Sequence, residues 1–223
     1  MTVSELDGPR LAPTAGGAPK QLVVFLHGYG ADGNDLIALG REWAPLLPNA
    51  AFVSPDAPEP CAMAPMGRQW FDLSMGDMSI IGVGVKRATP ALNAFLDAEL
   101  NRQGLTADSL ALVGFSQGTM MALAVGLTRA ARPRAIVGYS GALATVEDLP
   151  PPGQGPAILL IHGDMDEVIP VEALTMAREA LGQAGLSVQW HISRGIGHGI
   201  DADGLRLGGD FLKRAFEETP VVD

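Results

Sequence analysis

A chain of 223 residues with one cysteine, Cys61, can form no disulfide within itself. Its fold must therefore rest on packing, and the scarcity of thiols suits a reducing compartment. Positive charge is also in short supply: 15 Lys and Arg stand against 25 Asp and Glu, leaving a formal net charge of −10 and a pI of about 4.7. Nucleic acid and anionic membrane surfaces repel such a chain, which excludes both as main partners. No apolar run approaches the ~20 residues of a membrane-spanning helix, so membrane insertion is not expected. The opening stretch "MTVSELDGPRLAPTAGGAPK" has no continuous apolar segment of the kind a signal peptide needs. The cytoplasm is the expected location.

The composition itself, 47% hydrophobic and 18% charged, is that of a globular protein. A chain of this length buries roughly 70–75% of its unfolded surface, and one domain is the natural expectation. Residues 1–20, rich in Pro, Gly and Ala, read as an irregular arm; 21–218 read as the domain; 219–223 read as a tail. "QLVVFLHG" (21–28) is a β-branched run stopped by glycine, as in a buried strand. "NDLIALGREWAPLL" (34–47) has helical spacing, with Asn34 or Asp35 as the cap. "AAFVSPDAP" (50–58) reads as a strand and 58–80 as a loop excursion with room for a small hairpin. A helix follows over 83–104, in which Pro90 should mark a start or a kink. Further strands are predicted at 109–114, 135–139, 157–162 and 187–192, with helices at 117–130, 171–184 and 202–218. Strands alternating with helices predict an α/β fold, a mostly parallel sheet covered on both faces.

Within "LALVGFSQGTMMALAVGL" (110–127), Ser116 sits between two glycines where strand pattern gives way to helix pattern. The bland explanation is a serine capping a helix between turn residues. The sharper one is a nucleophile elbow, a strained turn that lifts Oγ above the sheet while Gly114 and Gly118 let neighbouring backbone approach. The pentapeptide alone is common by chance; its strand-to-helix setting gives it weight. The following helix aims N–H groups at the site where negative charge develops.

Of the four histidines, His191 lies inside a strand pattern, and His27 and His162 each end a strand in a His-Gly pair suited to a backbone bond. His198, in "RGIGHGI" after the last strand, is free to reach across the sheet edge as a general base. "IHGDMDEVIP" (161–170) supplies Asp164 and Asp166 at a strand's carboxyl end, where open α/β sheets build their sites. Asp164 directly follows glycine and suits an Asx turn; Asp166, further out, suits the orientation of an imidazole. Spacing alone separates the two poorly. The order Ser116, Asp166, His198 is that of α/β-hydrolases. Gln117, after the serine, should give one oxyanion N–H, and the glycine-rich "LHGYGADG" (26–33) the other, from Tyr29. No Cys/His zinc spacing and no dinucleotide fingerprint occurs, so neither a metal nor an organic cofactor is expected.

Taken together, "FLHGYGADGND", "QWFDL", "GFSQGTMMAL", "IHGDMDEVIP" and "GHGI" run from residue 25 to 200 in the order of the phospholipase/carboxylesterase family, which includes bacterial carboxylesterases and acyl-protein thioesterases, and the chain resembles it over nearly its whole length. The resemblance implies a compact α/β-hydrolase fold with no large cap domain, a Ser116–Asp166–His198 triad, Asp166 in preference to Asp164, and Tyr29 as the second oxyanion donor. Many members carry leucine where this chain has Tyr29, whose ring is expected to narrow the entrance and bear on substrate range. "GRQWFDLS" (67–74) is similar to the segment beside the family's acyl pocket. That makes Trp70 and Phe71 candidate pocket walls, with Met63, Met66, Met75 and Met78 as flexible neighbours; the competing reading has these side chains sealing the loop onto the core or a dimer partner. The expected activity is hydrolysis of carboxylic esters, with a small-molecule ester as substrate and an acyl-enzyme intermediate, and with lysophospholipase or acyl-protein thioesterase action on long-chain acyl groups as the alternative. A homodimer is compatible with this reading. Dienelactone hydrolases share the fold but use cysteine where Ser116 stands, and a peptidase would need an extra domain. A hydrolase fold kept only for binding is the rival from another class, and such proteins often lose a triad member.

Overall fold

Alternating faces of the β-branched runs decide the architecture. The computed structural model describes residues 6–73 and 78–218 (backbone alone for 78–80). Seven strands form the main sheet: β1 (Arg10–Leu11), β2 (Gln21–Leu26), β3 (Ala50–Val53), β6 (Leu110–Phe115), β7 (Ala135–Tyr139), β8 (Ala157–Gly163) and β9 (Val188–Ser193). Their spatial order is β1-β3-β2-β6-β7-β8-β9, and all pair in parallel except β1, which is antiparallel to β3. Along β2, Leu22, Val24 and Leu26 face one side while Val23 and Phe25 face the other, all fully buried. Strands buried on both faces need helices on both faces. Helices α2 (Met78–Gln103), α3 (Gln117–Thr128) and α4 (Glu172–Gln183) cover one side; α1 (Gly33–Trp43) and α5 (Ala202–Glu217) cover the other.

Several elements depart from the sequence reading. The first helix is capped by Asp32, not by Asn34 or Asp35; the Asp32 carboxylate accepts the Asn34 N–H at 2.8 Å. Gly33 already belongs to the helix, and glycine is required there because a Cβ would lie 2.1 Å from the Ser54 carbonyl oxygen. Helix α2 begins at Met78 and passes through Pro90 without starting there. Proline removes one ladder bond, to the Lys86 carbonyl, but Val85, Ala88 and Leu92 hold the helix to the core on either side of it. The 58–80 excursion contains the small hairpin, β4 (Glu59–Pro60) against β5 (Arg68–Gln69).

The arm read as irregular takes part in the fold. Leu6 is buried in the core, and β1 closes the sheet edge beside β3. Arg10 fastens it: its guanidinium donates to Glu99 on α2 through Nε at 3.2 Å and Nη2 at 2.6 Å, and Arg102 reaches the other Glu99 oxygen at 2.5 Å. Burial raises the Glu99 pKa, but the hydrogen bonds and charges of Arg10 and Arg102 outweigh it and hold the carboxyl below its ordinary range. Glu99→Gln should cost about 1–2 kcal/mol, since a buried carboxylate is lost from two guanidinium groups that solvent still reaches in part, and lower Tm by roughly 3–6 °C. A carboxylate with a depressed folded pKa stabilises above its unfolded value and loses that contribution as pH falls. The gap between wild type and variant should therefore be full above about pH 5 and close only as pH falls below the ordinary carboxylate range, through the depressed folded value. Thermal melts across that range check it.

Candidate active site

Chain order reverses between β2 and β6: β3 lies on one side of β2 and β6 on the other, which opens a crevice at their carboxyl ends. The parallel register pairs Leu26 with Gly114, so the loop after β2 lies beside the turn after β6. Each candidate residue of the triad and oxyanion site follows the carboxyl end of a strand: Tyr29 after β2, Ser116 and Gln117 after β6, Asp166 after β8 and His198 after β9.

Ser116 stands at the β6–α3 junction with φ 55° and ψ −118°, a conformation that L-residues avoid. The flanking glycines are sterically required. A Cβ on Gly114 would meet the Gly118 carbonyl oxygen at 2.4 Å, and one on Gly118 would meet the Leu26 carbonyl at 1.8 Å. The turn is held by Ser116 N–H donating to the Tyr139 carbonyl at 2.9 Å. Gln117, the first residue of α3, has an N–H without an intrahelical acceptor by virtue of its position. Its side chain is fully buried and spans to the chain after β5, accepting the Trp70 N–H at 2.9 Å and donating to the Phe71 carbonyl at 2.7 Å.

His198 lies on the loop between β9 and α5. Its Nδ1 donates to Asp166 Oδ2 at 2.8 Å, and its ring sits 4.9 Å from that of Phe115, the residue before the serine. The loop is tied down on several sides. Asp164 Oδ1 accepts the Gly195 N–H at 2.6 Å, Met165 N–H donates to the Ile196 carbonyl at 2.9 Å, and Ser140 Oγ donates to the Gly199 carbonyl at 3.3 Å. Asp164 is exposed and serves this loop, whereas the Asp166 carboxylate is completely buried. Asp166 Oδ1 accepts the N–H groups of Val168 and Ile169, each at 2.9 Å. A second imidazole, buried His162, comes within 3.3 Å of Oδ2 while donating to the Ile169 carbonyl at 2.8 Å. Burial raises the Asp166 pKa, but the bonds from His198, Ile169 and Val168 prevail and hold it below its ordinary value. It is therefore an anion at neutral pH. With the Asp166 anion accepting at Nδ1, the His198 proton sits on Nδ1, and Nε2 is left as the proton acceptor.

Tyr29 follows the His27-Gly28 pair, and Gly28 is close enough to the elbow that a Cβ there would lie 3.4 Å from Ser116 Cβ. The neighbouring Cys61 side chain, with burial, pushes the Tyr29 pKa up to about 12. Trp70 and Phe71, read as pocket walls, are sealed at 1% and 0% exposure. The Trp70 indole donates to the His27 carbonyl at 3.0 Å, and Phe71 packs where a Cβ on Gly84 would meet its ring at 2.7 Å. Both side chains pack this segment onto the core, and Trp70 also borders a cavity of about 200 Å³ that it shares with Pro58, Glu59, Arg87 and Ala91. Met66 is 91% exposed, on the rim of an open groove of about 660 Å³ shared with Gly30, Asp32, Asp35 and Ala64. Met63 is also exposed. Met75 lies outside the described residues, as does the Met78 side chain. Among the described residues, no group of three or more His, Cys, Asp or Glu is placed to hold a metal ion, and no helix is long and apolar enough to cross a membrane.

The sequence reading assigned His27 and His162 only to turns, and it passed over Phe115 and the Gln117 side chain. The His-Gly pairs were a visible signal for the two histidines. Nothing in local spacing marked the Gln117 amide, whose partners lie 46 and 47 positions away.

A seven-stranded, mostly parallel sheet with a strained serine turn at its reversal point defines an α/β-hydrolase. Residues 13–215 match the phospholipase/carboxylesterase family, and the chain belongs to it. It is 29% identical to esterase YpfH of Escherichia coli strain K12, over 87% of this chain and 82% of that one. It is 31% identical to acyl-protein thioesterase 1 of Schizosaccharomyces pombe, over 75% of each. The crystal structure of esterase PE8 superposes with a TM-score of 0.89 at 41% identity, covering 95% of this chain and 99% of that one. The chain is a carboxylic ester hydrolase of this family.

Proposed function

We propose that the chain is a serine carboxylesterase working through an acyl-enzyme on Ser116, with His198 as base and Asp166 as the acid that orients it. The observation that carries this reading is the buried, ionised Asp166 bonded at 2.8 Å to a histidine that packs beside the elbow. His198 Nε2 takes the Ser116 hydroxyl proton as Oγ bonds to the ester carbonyl carbon, and the carbonyl oxygen becomes an anion. The N–H groups of Tyr29 and Gln117 bind that anion, each such donor being worth about 3–4 kcal/mol in the transition state. The carbonyl re-forms, the alkoxide leaves, and the imidazolium proton goes to it, leaving the acyl group on Oγ. Water then gives His198 a proton and attacks the acyl carbon; the carboxylic acid departs and Oγ recovers its proton.

The relative named acyl-protein thioesterase 1 supports a second reading, in which the acyl group is long and the leaving atom is the sulfur of a thioester or the oxygen of a lysophospholipid. The two readings differ in what the acyl side accommodates. With Trp70 and Phe71 sealed against the core, the small-ester reading predicts that kcat/KM across p-nitrophenyl esters peaks at short acyl chains and falls toward palmitate. A steady rise to the long esters would favour the thioesterase or lysophospholipase reading.

A further inference from the structure

An oxyanion hole made from two chain segments works only if both N–H groups are aimed to within about 0.5 Å of the productive position. Gln117 N–H is aimed by helix α3. Tyr29 N–H lies in a glycine-rich loop, where the backbone is intrinsically free to rotate, so something else must fix it. That N–H belongs to the peptide unit joining Gly28 to Tyr29, which is planar and points its N–H opposite to its C=O. Whatever grips the Gly28 carbonyl sets the direction of the Tyr29 N–H.

The loop's own Ala31 N–H donates to this carbonyl at 3.3 Å, and the shorter grip comes from a buried imidazole. His27 Nδ1 lies 2.8 Å from the Gly28 carbonyl oxygen, and His27 Nε2 lies 3.0 Å from the Ala57 N–H. A backbone N–H can only donate, so Nε2 must be the bare nitrogen and Nδ1 must carry the proton. The tautomer is therefore fixed from behind by β3's outgoing chain. His27 is fully buried, and burial lowers its pKa, keeping the ring neutral, as this pair of bonds requires. The preceding peptide is held as well, since the Trp70 indole N–H donates to the His27 carbonyl at 3.0 Å. On the far side of Tyr29, Gly30 N–H donates to the Arg68 carbonyl at 2.9 Å, and Arg68 N–H donates to the Ala31 carbonyl at 2.7 Å. Every peptide around Tyr29 N–H is thus pinned by a group outside the site.

We infer that His27, with Trp70 behind it, is a positioning residue that aims the Tyr29 N–H at the developing oxyanion. This inference rests on the oxyanion role proposed for Tyr29. Neither side chain touches substrate; each acts through the orientation of a peptide plane.

Two variants of His27 separate aiming from mere packing. Asparagine places an amide N–H near the Nδ1 position and keeps the bond to the Gly28 carbonyl, while losing the acceptor for Ala57. Glutamine reaches the Nε2 position, keeps an acceptor for Ala57, and loses the bond to Gly28. Each variant forfeits one buried bond, so a purely structural role predicts similar activity losses that follow Tm. Aiming predicts that His27→Gln loses roughly ten- to a hundredfold more kcat than His27→Asn, with KM within about twofold. Affinity for phenylboronic acid, whose tetrahedral serine adduct mimics the oxyanion, should fall by the same factor as kcat. Equal losses in the two variants, or a kcat loss with unchanged boronate affinity, would overturn the inference. If neither His27 variant folds, Trp70→Phe, which keeps the aromatic ring and removes the indole N–H, decides: parallel losses of kcat and boronate affinity support aiming, and unchanged values reject it. Ser116→Ala runs alongside. Retained activity in that variant would defeat the proposed mechanism itself, whereas an inactive Ser116→Ala with indifferent His27 and Trp70 variants rejects only the positioning role.

Discussion

Ser116→Ala is expected to lower kcat/KM for p-nitrophenyl acetate by about 10⁴- to 10⁶-fold, leaving only what the oxyanion donors and binding supply. Its Tm should stay within about 2 °C of wild type, because alanine keeps the Cβ and with it the backbone strain. That strain is specific: φ 55° with ψ −118° at a residue with a side chain. Such a conformation costs of order 1–3 kcal/mol and persists only where its surroundings enforce it. Here they do, through the Ser116 N–H bond to Tyr139 and the close contacts of Gly114 and Gly118. Ser116→Gly should therefore be equally inactive yet more stable by about 1 kcal/mol, the relief of strain being partly offset by the greater freedom of glycine in the unfolded chain. Denaturant titrations of the three proteins check both halves. A glycine variant less stable than wild type would mean that the turn stores no strain.

The sheet, most helices, the strained turn at Ser116 and the Asp166–His198 pair were legible because each has a signal confined to one stretch of chain. Strand ends carry the chemistry, and an elbow needs glycine on both sides for reasons that one line of sequence displays. What stayed hidden depends on partners far away. A two-residue strand has no periodicity, so β1 is identified only by its register with Phe52 and Val53 and by the Arg10–Glu99 pair, 89 positions apart. Trp70 and Phe71 illustrate the same limit. An aromatic pair in a loop looks alike whether it walls a pocket or packs on a core, and its near-complete burial and the 3.0 Å bond from the indole to the His27 carbonyl depend on partners more than 40 positions away. Asp164 and Asp166 were inseparable by spacing. In space they divide the labour, Asp164 holding the loop at Gly195 and Asp166 holding the imidazole carried by that loop.

Those two aspartates should respond very differently to the same change. Asp166→Asn is expected to reduce kcat by about 10³- to 10⁴-fold. An amide cannot meet the donors that surround this carboxylate. If its oxygen keeps the Val168 and Ile169 N–H groups, its NH₂ faces His198 Nδ1 and the His162 N–H; the His198 proton must then move to Nε2, and the base is lost. If the amide flips, its NH₂ meets the two backbone N–H groups instead, at a cost of a few kcal/mol for donors left unpaired. Asp164→Asn retains an oxygen for the Gly195 N–H and should cost less than about tenfold, since the loop keeps its other ties. The pH response supplies a second test. Asp166 has a depressed folded pKa, so its contribution to stability is present above the ordinary carboxylate range and is lost as pH falls through the folded value. Wild type should be more stable than Asp166→Asn at neutral pH, with the difference shrinking below about pH 4. A stability difference that persists undiminished into strong acid would mean that Asp166 gains nothing from its charge in the fold, and the imidazole would then need another anchor.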